Sequence, residues 1–136
     1  MNLSTACKPR QSVFDRSRRD VVLNIDDLLK DRINADQFFD ENFITSGMQT
    51  LLDKVFERLE GRSNQASTFL LSQAMGGGKT HNMIALGLLA KNPALRSKIL
   101  GKNGQGSLLG AIRVIGFNGR ESDAKFGIDT EANQAT

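Results

Sequence analysis

The stretch Thr68-Phe69-Leu70-Leu71-Ser72-Gln73-Ala74-Met75-Gly76-Gly77-Gly78-Lys79-Thr80 carries a short apolar run into a glycine cluster that ends in Gly-Lys-Thr. A phosphate-binding loop needs a buried strand, a turn of exposed backbone N–H groups, and a helix whose positive N-terminal end faces the anion. The sequence offers a candidate for each in that order. Gly78, Lys79 and Thr80 fill the last three positions of the Walker A pattern G-x-x-x-x-G-K-[ST], while Gln73 stands where its first glycine belongs. Gly76 and Gly77 offset that departure, because residues without Cβ let the backbone take positive φ and approach phosphate oxygens. In such a loop Lys79 reaches the β- and γ-phosphates as a mobile point charge, and the Thr80 hydroxyl is a Mg²⁺ ligand. The cofactors expected are therefore ATP and Mg²⁺. A flexible turn followed by chance by Lys-Thr is the alternative, and the apolar patterns on both sides argue against it.

A chain of 136 residues is long enough for one domain with a real core. The formal net charge of +3 comes from nearly balanced acids and bases, too small a surplus to argue for nucleic acid. All aromatic residues are Phe, so the charge and stacking evidence is neutral on DNA. The lone Cys7 cannot form an internal disulfide, and with His81 as the single histidine no Cys/His cluster has metal-ligand spacing. No apolar run approaches the roughly 18 residues of a membrane span, and the N-terminus lacks the apolar segment of a secretory signal. These features predict a cytoplasmic protein with no membrane contact.

Three segments are expected along the chain. Residues 1–20 form a polar, locally basic arm with little regular structure, pinned by Val13 and Phe14. Residues 21–65 form a helical lead-in. Its first helix spans about 25–33 behind Asn24 as N-cap, and a short turn capped by Asp36 carries Phe38, Phe39 and Phe43 as core anchors. A longer helix opens with a Ser46-x-x-Gln49 capping box and stops before Gly61, burying Met48, Leu51, Leu52, Val55, Phe56 and Leu59. Residues 66–136 belong to the phosphate-loop domain. There the helix after the loop is apolar nearly all round, which calls for a sheet beside it. Asn92 and Pro93 end it, and start a second short helix through Leu100. Residues 101–110 are glycine-rich, and Ala111-Ile112-Arg113-Val114-Ile115-Gly116-Phe117 reads as a second buried strand.

Strand, loop, helix and strand make a right-handed βαβ unit. The fold class expected is α/β: a P-loop NTPase-type βαβ core with a partial parallel sheet, preceded by an α-helical N-terminal segment. Such a core also needs a strand ending in the carboxylate that holds the Mg²⁺ shell. Glu121 and Asp123 lie beyond the tip of the 111–117 strand, at the wrong spacing, and nothing aims Arg96, Arg113 or Arg120 at a γ-phosphate. With two strands the sheet is incomplete, which suggests the N-terminal part of a larger ATPase, or a truncated relative of one.

Two runs narrow the identity. Phe38-Phe39-Asp40-Glu41-Asn42-Phe43-Ile44-Thr45-Ser46-Gly47-Met48, followed by Gln73-Ala74-Met75-Gly76-Gly77-Gly78-Lys79-Thr80-His81-Asn82-Met83-Ile84-Ala85-Leu86, resembles the large ATP-binding proteins of the domain of unknown function 499 family. Those proteins look like AAA-type ATPases, and several sit in bacterial anti-phage defence clusters beside a DNA methyltransferase and helicases. The resemblance extends over about residues 7–117, and in that family glutamine at the position of Gln73 is normal. It implies ATP binding at Gly76, Gly77, Gly78, Lys79 and Thr80, hydrolysis in the full-length protein, and a link to DNA-directed defence. The partners it implies are further copies or other subunits of a defence complex, with DNA contacted only indirectly.

His81 follows Thr80 directly and either responds to bound phosphate or packs on the loop. Gln73 either bonds the loop backbone or the nucleotide. Three functions from different classes fit the chain: an ATPase module completed elsewhere, a nucleotide-binding switch without turnover, and an interaction fragment whose 46–60 helix meets a partner while the loop is vestigial.

Overall fold

The computed structural model describes residues 7–9, 14, 22–62, 64, 66–72, 74, 76–101, 104 and 106–117. Among them five α-helices follow one another: α1 (Ile25–Leu29), α2 (Ala35–Glu41), α3 (Ser46–Leu59), α4 (Lys79–Lys91) and α5 (Pro93–Leu100). No helix among the described residues is long and apolar enough to cross a membrane.

Short polar side chains decide where four of these helices begin. Asn24 Oδ1 accepts from Asp27 N at 2.8 Å, Asn34 Oδ1 from Gln37 N at 3.0 Å, Thr45 Oγ1 from Met48 N at 3.2 Å, and Asn92 Oδ1 from Leu95 N at 3.0 Å. Each satisfies a first-turn donor that has no partner within its helix. The caps at Asn24 and Asn92, with Pro93 as first residue of α5, match expectation. Two others move. Asp36 lies inside α2, whose cap is Asn34, and Ser46 is the first residue of α3, behind Thr45. The Ser46–Gln49 box therefore does not form, and Gln49 Nε2 donates to Asp53 Oδ1 at 2.9 Å instead.

Two of the C-termini close with left-handed residues. After α3, Gly61 takes φ 72°, with Gly61 N bonded to Arg58 O at 3.0 Å and Arg62 N to Glu57 O at 3.1 Å, the paired bonds of a Schellman motif. Helix α1 is shorter than the expected 25–33 because Asp31, at φ 52°, ends it in the same way, Arg32 N bonding Asp27 O at 2.9 Å.

Helix α4 is the centre of the core. Its Ile84, Ala85, Leu88, Leu89 and Ala90 share one buried cluster with Leu28 of α1, Phe38 of α2, Met48, Leu52 and Phe56 of α3, and Leu95 of α5. Gly87 lets α1 come close, since a Cβ there would collide with Leu28 Cδ2. Phe43 and Leu59 are not buried as expected: Phe43 is 85% exposed and Leu59, at the end of α3, 49%. Phe14, expected to pin the arm, is 64% exposed.

The expected α/β core is not what forms. Among the described residues the fold is all-helical, with no strand and no sheet in either apolar run. Burial still alternates along both runs. Phe69 and Leu71 are half-buried between exposed neighbours, as are Ile112, Val114 and Gly116. Alternation, however, only sorts side chains between two faces, whereas a strand exists through hydrogen bonds to a second chain segment. Residues 111–117 lie on helices instead of on 68–72. Ile112 N donates to Ala90 O at the end of α4, 2.9 Å away, and a Cβ on Gly116 would come within 2.8 Å of Ile25 Cγ2. The helix that called for a sheet is covered by other helices and by this segment.

One buried cation fastens the segment. Arg96 of α5 is 1% exposed, and its Nη1 donates to Leu89 O at 3.1 Å and Ala90 O at 3.5 Å. Its Nη2 donates to Leu109 O, and to Gly110 O at 3.1 Å. The guanidinium carbon also sits 5.1 Å from the centre of the Phe56 ring. Burial pulls the Arg96 guanidinium down from its ordinary value, and the charge of Glu60 opposes that shift. Glu60, its side chain 2% exposed, accepts from Leu108 N at 3.0 Å and pairs with Arg62 Nε at 3.0 Å. Residues 101–110, expected to be a mobile glycine-rich loop, are thus tied at their described positions to α3 and α5, with Gly106 pressed on Phe56.

Because Arg96 satisfies carbonyls from two segments, Arg96→Ala is expected to cost about 3 kcal/mol, a fork of donors lost beneath several buried acceptors. Arg96→Lys should recover only part of this, since an ammonium cannot span both pairs. Urea denaturation midpoints of the three proteins measure both effects.

Candidate functional site

The glycine cluster does open a helix. Gly78 is the N-cap of α4, in the left-handed region at φ 78° and ψ 15°, and Gly76 is also left-handed at φ 81°. Gly77 N donates to Ala74 O at 3.0 Å, turning the chain, and Asn82 N to Gly78 O at 2.9 Å begins the helical ladder. Unlike the other four helices, α4 receives no side-chain cap, since glycine has nothing to offer the first-turn donors. No side chain among the described residues caps that end of the 13-residue helix, where the positive end of the macrodipole lies.

Lys79 and Thr80 are the first two residues of α4. Lys79 is half-buried, and its Nζ reaches back five residues to Ala74 O at 2.9 Å, across the turn made by Gly76 and Gly77. Thr80 is exposed, leaving its hydroxyl accessible to a ligand. Gly76, Gly77, Gly78 and Thr80 are exposed and Lys79 is half-buried along one continuous turn, while Gln73 lies outside the described residues. Among the described residues no group of three or more His, Cys, Asp or Glu side chains is arranged to hold a metal. Thr80 is the side chain of the loop whose hydroxyl is of the type that ligates Mg²⁺.

His81 turns away from the cradle toward α2. Its Nε2 lies 2.7 Å from Asn42 Oδ1, and its ring centre is 4.9 Å from that of Phe38, tilted by 32°. Of the arginines weighed for a γ-phosphate, Arg96 is consumed in the core. Arg113 is exposed and lines an apolar groove of about 450 Å³ between α1, α3, α4 and residues 113–117. Arg120, Glu121 and Asp123 lie outside the described residues, as does most of the basic arm. Asn42 is the residue near the site that sequence patterns did not single out. It stands 39 positions from His81, and no local spacing reports such a pair.

The described residues define a helical domain that carries a glycine-rich loop at the N-terminus of its central helix. The DUF499 N-terminal domain family model matches residues 8–103, and the chain belongs to that family. No curated protein and no solved structure matches it significantly.

The loop glycines are held by backbone conformation rather than by crowding, for a Cβ at Gly76 or Gly78 would meet nothing within 4 Å. Gly76→Ala and Gly78→Ala should each cost about 1–2 kcal/mol, the strain of a left-handed L-residue. Gly47, in the first turn of α3 with ordinary φ and open space, is the control, and Gly47→Ala should stabilise by up to about 1 kcal/mol. Thermal denaturation of the three variants tests the opposite signs.

Proposed function

We propose that residues 76–80 and the first turn of α4 bind the triphosphate of ATP with its Mg²⁺, as a Walker A loop does. The observation that supports this is the uncapped start of α4. Two left-handed glycines bring backbone close to any ligand, and a lysine and a threonine follow at once. Structural economy alone would favour a capping Asn or Thr, as at the other four helices. Lys79 leaves the Ala74 carbonyl for the β- and γ-phosphates when nucleotide arrives, and Thr80 Oγ1 joins the Mg²⁺ shell. The family resemblance suggests the setting, DNA-directed anti-phage defence in which this chain binds ATP beside other subunits. The interaction-fragment alternative loses ground, since the α3 stripe of Met48, Leu52 and Phe56 is spent in the core.

A helix terminus alone contributes about 0.3–2 kcal/mol toward an anion, so most of the affinity should depend on the lysine charge. In a fluorescent-nucleotide titration with Mg²⁺, Lys79→Ala is expected to weaken binding by at least about tenfold, the loss of a charge-assisted hydrogen bond. Equal affinities for the wild type and Lys79→Ala would overturn the assignment.

A further inference from the structure

The contact between Asn42 and His81 fixes more than a distance. Asn42 Nδ2 donates to Phe38 O at 2.7 Å, and Asn42 Oδ1 lies 2.7 Å from His81 Nε2. A carbonyl oxygen only accepts, so the amide nitrogen must face Phe38 and the amide oxygen must face the imidazole. That oxygen also only accepts, which assigns the proton to His81 Nε2 by elimination. The ring lies against Phe38 as well, so two contacts hold it to α2. Asn42 is the C-cap of α2, and His81 is the third residue of α4, next to Thr80. One amide thereby joins the end of α2 to the turn that carries Lys79 and Thr80.

We propose that Asn42 is a positioning residue for the phosphate cradle, acting through His81. A helix that starts at glycine has no side-chain cap to set the direction of its first turn, so a tertiary tether sets it instead. With the imidazole anchored, the backbone N–H groups of that turn and the Thr80 hydroxyl keep one orientation toward the phosphates, and binding does not have to order them. This role rests on the assignment of the loop as an ATP site.

The test is a Mg²⁺–ATP titration of the 136-residue chain and its variants, with folding of each followed by circular dichroism. Asn42→Ala is expected to weaken binding about five- to tenfold, the scale of one hydrogen bond. Asn42→Asp keeps an acceptor for Nε2 but turns a second carboxylate oxygen toward Phe38 O, two acceptors facing each other, and should lose less affinity than Asn42→Ala. In a His81→Ala background Asn42→Ala should add no further loss, because the two residues act as one unit. Ring ¹⁵N shifts should report the Nε2–H tautomer in the wild type and a mixture in Asn42→Ala. If Asn42→Ala does not fold, His81→Phe, which keeps a ring on Phe38 without the N–H, should show the same weakening. Wild-type affinity in either variant, equal losses in Asn42→Ala and Asn42→Asp, or additive losses in the double variant would overturn the proposal. Should Lys79→Ala bind like the wild type, the loop assignment falls and this role with it. If Lys79→Ala loses binding while folded Asn42→Ala does not, the role of Asn42 alone falls.

Discussion

The burial of one guanidinium decides how the end of this domain is assembled. A helix leaves its last carbonyls without intrahelical donors, and in a core those oxygens must be satisfied. At α4, Leu88 O takes the Asn92 N–H, Leu89 O takes Arg96, and Ala90 O takes Ile112 N together with Arg96. The same guanidinium holds the carbonyls of Leu109 and Gly110. Its planar fork lets a side chain from α5 serve the end of one helix and the start of an irregular segment at once. Positive charge at a helix C-terminus is also favourable to the macrodipole, which offsets part of the cost of burying it. Lys91 adds a second tie there, bonding Leu28 O at 2.9 Å and pairing with Asp31 at 2.8 Å.

The two ends of α4 are therefore built on opposite plans. At the C-terminus the carbonyls of Leu88, Leu89 and Ala90 are paired, the last two by Arg96 of α5 and the Ile112 N–H. At the N-terminus a glycine cap leaves the positive end of the helix without a side-chain acceptor. Between these ends Ile84, Ala85, Gly87, Leu88, Leu89 and Ala90 are buried, and the apolar ones pack in one cluster with Leu28, Leu52 and Phe56. The tail of α4 is thus closed by neighbouring segments, and its head carries no side-chain cap.

The neighbouring segments follow from the same core. Residues 109–117 cover α4 and α1 rather than pairing with 68–72, and between α1, α3, α4 and residues 113–117 an apolar groove remains. Leu70 is 88% exposed, and Ile115 and Phe117 are also exposed. Apolar side chains on these segments exceed what the helical core can bury. That surplus is why the sequence looks like a sheet while its described backbone forms none.

Much of the helical scaffold was legible from local chemistry. Asn24, Asn92, Pro93 and Gly61 act at the ends where their residue types predict, because capping involves groups three or four positions apart. The stripe of Met48, Leu52 and Phe56 fixed the inner face of α3, and Gly78-Lys79-Thr80 fixed the loop-to-helix start, for the same reason. Near-neighbour spacing was less able to separate Thr45 from Ser46, two adjacent residues equally able to cap. Strand pairing, the burial of Arg96 and the hold of Asn42 on His81 were decided by tertiary structure alone. Each depends on groups brought together across the core. A period-two pattern specifies which way a side chain faces, but not whether another backbone will arrive beside it. An arginine in sequence shows its charge, but only the fold shows which carbonyls require it.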